Sequence, residues 1–344
     1  MKTQNILNCS FSSWYSTFKN VTIKSRILDI PDDVLEYLMS DGTLVLPEGS
    51  HATTSEAGST DSENDAESDW NTGSSGAEAQ APSFPAFQSE IIRNMAALGG
   101  KVFPKLNWSS PKDATWIALN NTLLCSNVED IFLLLKSSEF VTHDLTQPFI
   151  HCDDYNAEQK KDVKYQLILR RWHEMNPGGE FRCFVKNDKL IAVCQRHASC
   201  YHDFIKSGRE DIVMDILEFY NRSVKGKFLD QTYVFDVYRK TKSKVYVIDF
   251  NPFGEVTDGI MFTWEELNSN KPLLGTENNS DENQILAFRF VTSNGGMQPS
   301  PYRSYGLPVD FVDLSTGSDP NKLIDFLKLN IQSQNEDESG GATE

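Results

Sequence analysis

Apolar residues recur along this chain at two spacings, and the spacings predict where helices and strands form. Helical spacing is found in five segments, which begin near Phe11, Val34, Gln88, Asn127 and Asp211. The third helix should end at Gly99, because glycine readily adopts the left-handed conformation that closes helices. The apolar face predicted for it consists of Ile91, Ile92, Met95 and Leu98. Asn127 should cap the fourth helix, since its side-chain oxygen can accept a hydrogen bond from a first-turn amide.

Strand patterns fill much of the remaining chain. In chain order they cover 102–103, 165–172, 180–185, 190–195, 233–238 and 245–250. The last four form two pairs joined by short polar segments, which is typical of antiparallel hairpins. Helices placed between mostly antiparallel hairpins predict an α+β fold and argue against a doubly wound parallel sheet.

Residues 48–80 differ from the rest of the chain in composition. They carry eight carboxylates, many Ser, Thr and Gly residues, no Lys or Arg, and Trp70 as the only Phe, Tyr or Trp. Such a segment buries too little apolar surface to offset the entropy that is lost on folding. We therefore predict a disordered acidic insert within a globular chain.

The composition excludes several classes of protein. The formal net charge of −17 argues against direct nucleic-acid binding, which needs a basic surface to neutralise phosphates. No stretch approaches the roughly 18 apolar residues of a membrane span. Six cysteines are scattered without a Cys-x-x-Cys pair, which predicts reduced cytoplasmic thiols and no zinc site. The sequence contains neither a Gly-x-x-x-x-Gly-Lys-Ser/Thr phosphate loop nor a strand-linked Gly-x-Gly-x-x-Gly motif.

Two aspartates and an asparagine lie among apolar neighbours in the last pair of predicted strands. Side chains alternate along a strand, so Asp249 and Asn251 share one face. A two-residue turn at 242–243 would place Asp236 directly opposite Asp249, where two carboxylates repel each other. A bound cation would remove the repulsion, and three oxygen ligands suit Mg²⁺ better than zinc. The alternative is that these carboxylates lie on an edge strand and face solvent.

Cationic residues near other strand ends are candidates for phosphate contacts. Lys105 lies just past the first predicted strand, and Arg170 lies near the end of the second. Arg171 should face the opposite way from Arg170. Glu180 and Arg182 share a strand face. The alternatives are a solvated Lys105 and an ordinary surface salt bridge between Glu180 and Arg182.

Six longer motifs are distinctive as a set. They are FSSWY (11–15), VFPKLNWS (102–109), QPFIH (147–151), EFRCFV (180–185), IDFNPFGE (248–255) and DFVDLS (310–315). Together they span nearly the whole chain outside the acidic insert and the C-terminal tail. In these motifs the chain resembles the cell division cycle protein 123 family of eukaryotic proteins.

That resemblance implies an ATP-grasp fold, in which two lobes clasp ATP and Mg²⁺. The residues that it implies for the nucleotide are Lys105, Trp108, Ser110, Lys112, Arg170, Arg171, Trp172, His173, Glu180 and Arg182. The metal ligands that it implies, which also face the nucleotide, are Asp236, Asp249 and Asn251. Lys105, Arg170 and Arg182 are expected at the phosphates and Glu180 at the ribose hydroxyls. Residues 171–173 are expected to read adenine, largely through backbone groups, and no catalytic residue is implied.

The resemblance and the composition together predict how the chain is organised. The predicted regions are an N-terminal segment packed on the main body (1–47), the acidic disordered insert (48–84), an ATP-grasp core (85–331) with a smaller lobe at about 100–170 and a larger lobe at about 171–331, and a disordered acidic tail (332–344).

The family resemblance also implies a function. It implies an assembly chaperone that binds the gamma subunit of eukaryotic translation initiation factor 2 and so supports translation initiation and cell-cycle progression. Such a protein would be a cytoplasmic monomer that binds neither nucleic acid nor membrane, with ATP hydrolysis slow or absent. The alternative is an ATP-grasp ligase that joins a carboxylate to an amine. A ligase needs a basic acceptor pocket, to which Arg182 and Arg196 could contribute, but no further basic cluster is present in the sequence.

Overall fold

The computed structural model describes residues 1–40, 44–48, 81–118, 120–155, 163–269, 271–274 and 286–293. The chain divides into two compact units, and all of these residues lie in the first, Met1–Ser300. Most of the predicted acidic insert, the motif at 310–315 and the predicted tail lie outside the described residues. Within the described residues, no helix is long and apolar enough to cross a membrane.

One antiparallel sheet has three strands, β1 Ser25–Asp29, β2 Val102–Lys105 and β3 Gln166–Arg171. The central strand is β3, and it is buried throughout 167–170, which agrees with its unbroken apolar run before Arg170. The register places Lys105 opposite Ile168 and Phe103 opposite Arg170. Lys105 and Arg170 therefore come from neighbouring strands of one sheet.

A second sheet has five strands, β4 Glu180–Lys186, β5 Lys189–Gln195, β6 Tyr233–Thr241, β7 Lys244–Pro252 and β8 Ala287–Arg289. Their spatial order is β7-β6-β4-β5-β8, and only β5 and β8 pair in parallel. The turn between β4 and β5 is formed by Asn187 and Asp188, with φ angles of 51° and 56°. Positive φ at both positions is what a tight two-residue hairpin requires, and Asn and Asp tolerate it better than most residues.

Helices are distributed between the two sheets. The α-helices of the described residues are α1 Thr3–Asn8, α2 Phe11–Phe18, α3 Asp32–Met39, α4 Pro85–Leu98, α5 Val128–Lys136, α6 Glu139–Thr146, α7 Asp203–Ser207, α8 Arg209–Phe219 and α9 Trp264–Asn268. Gly99 follows α4 with a φ of 97°, and the Asn127 side chain accepts a hydrogen bond from the Asp130 amide at the start of α5. Both predicted helix ends are therefore confirmed.

Each sheet packs against its own set of helices. One face of the five-stranded sheet packs on α2 and α8, with Trp14, Phe219 and Phe250 in a shared hydrophobic core. The three-stranded sheet packs on α4 and α5, with Ile91 and Ile131 in a second core. Each fully buried side chain of this size contributes about 2 kcal/mol to folding. The opposite face of the five-stranded sheet carries the charged residues predicted for the site.

The prediction of an α+β fold is confirmed by the two sheets and their helices. One detail of the predicted α4 face is wrong, because Ile92 is 56% exposed. Phe87 takes its place on the buried face beside Ile91, Met95 and Leu98. Successive helix residues are rotated by about 100°, so Ile92 turns away from the line that Phe87, Ile91 and Met95 follow.

Candidate functional site

Asp236 on β6 lies directly opposite Asp249 on β7, as the sequence predicts. The register between these strands nevertheless shifts twice, once near the turn and once beside Asp236. The second shift leaves Ile248 as an extra residue on β7 and restores the pairing that the first shift displaces. Such bulges bend a strand and redirect its side chains. The two carboxylates therefore share one face of the sheet because two irregularities compensate each other.

Arg182 binds Asp236 through both carboxylate oxygens. It lies across from Asp236 on β4 and donates from Nε and Nη2 to Oδ1 and Oδ2, each at 2.8 Å. Its Nη1 donates to the Asp258 carbonyl at 2.6 Å, and Arg196 Nε lies 3.5 Å from Asp236 Oδ2. Burial alone would raise the pKa of Asp236, but Arg182 outweighs burial and holds that pKa well below its usual range. Asp236 is therefore ionised and held in one orientation.

Lys105 pairs with the second carboxylate. Its Nζ lies 2.8 Å from Asp249 Oδ2 and also donates to the Trp108 carbonyl. The Lys105 side chain is 1% exposed, so its ammonium group depends on these partners. Because Lys105 belongs to the three-stranded sheet and Asp249 to the five-stranded sheet, this ion pair links the two sheets.

These ion pairs overturn one argument made from the sequence. Repulsion between Asp236 and Asp249 was expected to require a bound cation. Arg182 and Lys105 already supply positive charge to both carboxylates. The repulsion is therefore not a reason to place a metal here, and the case for a metal depends on the unpaired atoms beside this pair.

Two buried atoms on β7 lack partners and suit a metal ion. Asp249 Oδ1 and Asn251 Nδ2 are buried without a hydrogen bond. The oxygen and nitrogen of an asparagine amide exchange places by a half turn, so Asn251 can present its oxygen there. Mg²⁺ prefers carboxylate, amide and water oxygens, so these residues fit it. In the part of the chain that the structure describes, no three His, Cys, Asp or Glu side chains are grouped to hold a metal.

Arg170 is buried where the two sheets meet. Its guanidinium group lies 5.2 Å and 5.3 Å from the ring centres of Phe11 and Phe103. Nη1 donates to the Ile248 carbonyl at 2.8 Å, Nη2 donates to the Thr22 hydroxyl at 3.3 Å, and Nε has no partner. Burial lowers the pKa of Arg170 to about 10, so the group stays charged at neutral pH. A phosphate contact for Arg170 stays a prediction.

The loop after β2 is held by two helices. Trp108 Nε1 donates to the Ile6 carbonyl in α1 at 2.8 Å, and the indole ring packs edge-on against Phe149. Ser109 donates from its amide and its hydroxyl to the two oxygens of Asp144 in α6, at 2.7 Å and 2.8 Å. The loop that carries Lys105 and Trp108 is thus fixed before any ligand binds.

Ser110 and Lys112 lie where this loop enters a 3₁₀ turn, Lys112–Ile117. The Lys112 amide donates to the Ser110 carbonyl at 2.7 Å. Burial would raise the pKa of Glu180 and of Asp236, and Lys112 is among the cations that lower both. The charge of Lys112 therefore acts on the carboxylates of Glu180 and Asp236 from the segment after β2.

The buried carboxyl group of Asp144 should make stability depend on pH. Burial raises its pKa to about 6 despite the two bonds from Ser109. The folded protein then binds more protons than the unfolded chain between about pH 4 and pH 6, so this group's contribution to the free energy of unfolding falls as pH rises. The loss should approach about 3 kcal/mol by about pH 7, one unit above the raised pKa of about 6, and then stay constant.

Asp144→Asn is the variant that isolates this effect, because an amide can accept from the Ser109 amide and donate to its hydroxyl. Chemical unfolding of both proteins between pH 4 and pH 7 measures the difference. The variant should gain stability relative to the natural protein as pH rises from about 4 to about 7. A difference that does not change with pH would show that Asp144 titrates normally.

The predicted hinge follows β3 and consists of Arg171, Trp172 and His173. Arg171 is exposed while Arg170 is buried, which confirms that they face opposite ways. The amides of Arg171 and Trp172 donate to the carbonyls of Lys24 and Lys101 at 2.9 Å each. The Trp172 ring lies edge-on to Phe103. An adenine ring at this hinge would have to use backbone groups other than these two amides.

Glu180, the first residue of β4, contacts a histidine that the sequence did not single out. His197 Nε2 lies 3.3 Å from Glu180 Oε2, and the Arg196 amide donates to the Glu180 carbonyl at 2.9 Å. Glu180 thus pairs with His197 and Arg182 with Asp236, so the structure does not contain the alternative, a surface salt bridge between Glu180 and Arg182. The hairpin of β4 and β5 could have predicted this contact. Because β5 returns beside the start of β4, the residues that follow β5 must lie close to Glu180.

Three comparisons relate this chain to known proteins. The sequence model of the D123 family matches residues 14–315. The translation initiation factor eIF2 assembly protein of Xenopus tropicalis is 48% identical over 337 residues, which cover 98% of this chain and 99% of that protein. The protein of the same name from Schizosaccharomyces pombe is 39% identical over 328 residues, or 93% of each chain. The structure of Cdc123 from Schizosaccharomyces pombe matches with a TM-score of 0.66 and 34% identity, covering 85% of this chain and 99% of that one.

Proposed function

This chain belongs to the D123 family, and we propose from that membership that it is an assembly factor for eukaryotic translation initiation factor 2 that binds ATP and Mg²⁺. The observation that carries the proposal is the end-to-end similarity to relatives named eIF2 assembly proteins. Similarity confined to one domain could reflect a shared fold alone, whereas here both chains are covered almost completely. The gamma subunit is the proposed binding partner within the factor.

We propose Asp236, Asp249 and Asn251 as the ligands of Mg²⁺. Support comes from Asp249 Oδ1 and Asn251 Nδ2, which are buried without a hydrogen-bond partner, and from Asp236 on the same face of the sheet. Bound Mg²⁺ supplies positive charge that neutralises the phosphate oxygens of ATP. The protein would hold the carboxylates of Asp236 and Asp249 in position for the metal through the ion pairs with Arg182 and Lys105.

The cations around this face are the proposed partners of the phosphates. Lys105 is the principal one, because its ammonium group lies 2.8 Å from Oδ2 of Asp249, one of the proposed metal ligands. Arg170 has an unpaired Nε, and Arg182 keeps its link to Asp236. Lys112, Ser110 and the Trp108 carbonyl lie on the adjoining loop.

The hinge and the start of β4 are proposed to bind the adenine and the ribose of the nucleotide. Arg171, Trp172 and His173 are proposed beside adenine, and Glu180 is proposed to accept hydrogen bonds from the ribose hydroxyls. The nucleotide would then lie between a smaller lobe at about 100–170 and a larger lobe at about 171–331, as in an ATP-grasp protein. We further propose a cytoplasmic monomer in which ATP hydrolysis is slow or absent.

A carboxylate–amine ligase is the rival function, and ATP turnover separates the two. An assembly factor should hydrolyse ATP slowly, with stimulation only by the gamma subunit. A ligase should consume ATP at about 1 per second or faster when a suitable carboxylate and amine are present. Turnover is measured with purified protein, once with the gamma subunit and once with panels of amino acids and dipeptides. Rapid turnover without the gamma subunit would refute the proposal.

A further inference from the structure

A segment that follows β5 is fixed from inside the protein. Gln195, the last residue of β5, is fully buried. Its Nε2 donates to the carbonyls of His197 and Cys200 at 2.7 Å and 2.6 Å, and its Oε1 accepts from the Val291 amide at 3.2 Å. All three partners are backbone groups. The buried side chain of Gln195 therefore fixes the backbone path of residues 196–200.

This segment delivers two consecutive side chains to the site. Arg196 Nε reaches Asp236 Oδ2 at 3.5 Å, and His197 Nε2 reaches Glu180 Oε2 at 3.3 Å. The Arg196 amide also donates to the Glu180 carbonyl at 2.9 Å. Glu180 is therefore contacted by the same segment through both its backbone and its side chain.

The turn before Glu180 is packed against the continuation of this segment. A Cβ atom on Gly178 would lie 2.6 Å from the Phe204 ring and 2.7 Å from the His202 ring. A Cβ atom on Gly179 would lie 2.8 Å from the Tyr238 ring. Real Cβ atoms do not come so close to other atoms, so a larger residue at either position would force its surroundings to shift. The turn that leads into Glu180 is therefore closely packed against these side chains.

The charge around Glu180 keeps its carboxyl group ionised. Burial would raise the pKa of Glu180, but the contact with His197 and the charges of Lys112 and Arg196 outweigh burial and lower it. An ionised carboxylate has about four lone-pair positions, and a single imidazole contact at Oε2 leaves acceptor capacity for two hydroxyl groups.

We propose that His197 is a positioning residue for Glu180, which fixes the carboxylate in the orientation that accepts hydrogen bonds from vicinal hydroxyls of a ribose. The inference rests on the proposed nucleotide site and adds a residue that acts through Glu180. A glutamate side chain loses rotamer freedom when it is held by a ligand. His197 removes that freedom before the ligand arrives, so more of the binding energy of the hydroxyls appears as affinity.

A pair of nucleotides tests this role. ATP and 2′,3′-dideoxy-ATP differ only in the hydroxyls that Glu180 would bind. Calorimetric titration with Mg²⁺ present should show that the natural protein binds ATP about tenfold more tightly, as expected for hydrogen bonds to a charged group. His197→Ala should weaken ATP by about fivefold and leave the dideoxy nucleotide unchanged. His197→Gln, which keeps a donor near the same place, should restore most of the loss.

Two variants serve as controls. Glu180→Gln should lower the preference for ATP at least as much as His197→Ala, and His197→Ala in that background should have no further effect. Tyr201→Phe removes a hydrogen bond to Asp203 in the same segment without touching Glu180, and it should leave both affinities unchanged.

The possible failures can be told apart. Equal weakening of both nucleotides by His197→Ala would mean that His197 supports the fold and would overturn the inference. Equal affinities of the natural protein for both nucleotides would overturn the ribose role of Glu180 and, with it, this inference, while ATP binding would stand. No binding of either nucleotide would refute the proposed function itself.

Discussion

Asp249→Asn is expected to lower the affinity for Mg-ATP by about 100-fold or more, because changes even in groups that only support metal ligands cost about 10- to 100-fold. The amide that replaces the carboxylate can still accept a hydrogen bond from Lys105, so the buried ammonium group keeps a partner. The protein should therefore remain folded. Isothermal titration with ATP, with and without Mg²⁺, measures the loss, and circular dichroism checks the fold.

Two further variants sharpen this test. Asp249→Ala leaves the buried Lys105 ammonium group without its carboxylate, so it should lose stability as well as Mg-ATP affinity. Asp29→Asn removes a carboxylate that pairs with Lys164 at the protein surface, and it should change neither property. Unchanged Mg-ATP affinity in a folded Asp249→Asn protein would refute the metal site.

Arg182→Met should give the largest loss of stability, about 3–5 kcal/mol, because it leaves the Asp236 carboxylate buried without its main partner. Asp236→Asn in the same chain should recover much of that loss, since the buried charge is then gone. Arg289→Met is the matched comparison. Arg289 also binds a carboxylate through two bonds, but Glu266 is 39% exposed and its carboxylate stays in contact with water, so the loss should be smaller than for Arg182→Met.

Chemical unfolding at pH 7 without nucleotide measures these differences, and acid provides a second check. Burial opposes the ionised form of Asp236, but Arg182 outweighs it and lowers the pKa. The pair therefore contributes stability above the pKa of an unfolded aspartate, and the contribution is lost as pH falls toward the lowered value. A loss below 1 kcal/mol for Arg182→Met, or one that does not shrink in acid, would contradict this account.

The site was predictable from the sequence where chemistry follows from local pattern. Alternation along a strand places Asp249 and Asn251 on one face, and the turn length places Asp236 opposite Asp249. The second result holds only because a bulge at Ile248 compensates a shift near the turn. No sequence pattern reveals that the two shifts cancel. The predicted pairing of Asp236 with Asp249 is therefore correct, although the two strands do not run in the regular register that the prediction assumed.

Contacts between distant segments could not be predicted in the same way. Lys105 meets Asp249 across 144 positions of the chain, and with the pair of Arg182 and Asp236 it offsets the repulsion that the sequence predicts between the two carboxylates. The link between Asp144 and Ser109 depends on where α6 packs, which apolar spacing does not specify. Short elements such as β8 and α9 carry too few residues to show a period.

Binding of the eIF2 gamma subunit and its joining to the other two subunits test the central claim most directly. Purified gamma subunit should bind this chain in the presence of Mg-ATP, and adding the chain should raise the yield of the heterotrimer measured by size-exclusion chromatography. Asp249→Asn should bind or release the gamma subunit abnormally and lose most of that gain, because the nucleotide is expected to set the relative position of the lobes. Asp29→Asn should assemble the heterotrimer as well as the natural protein. A yield that is the same with and without the chain, together with no binding of the gamma subunit, would contradict the account.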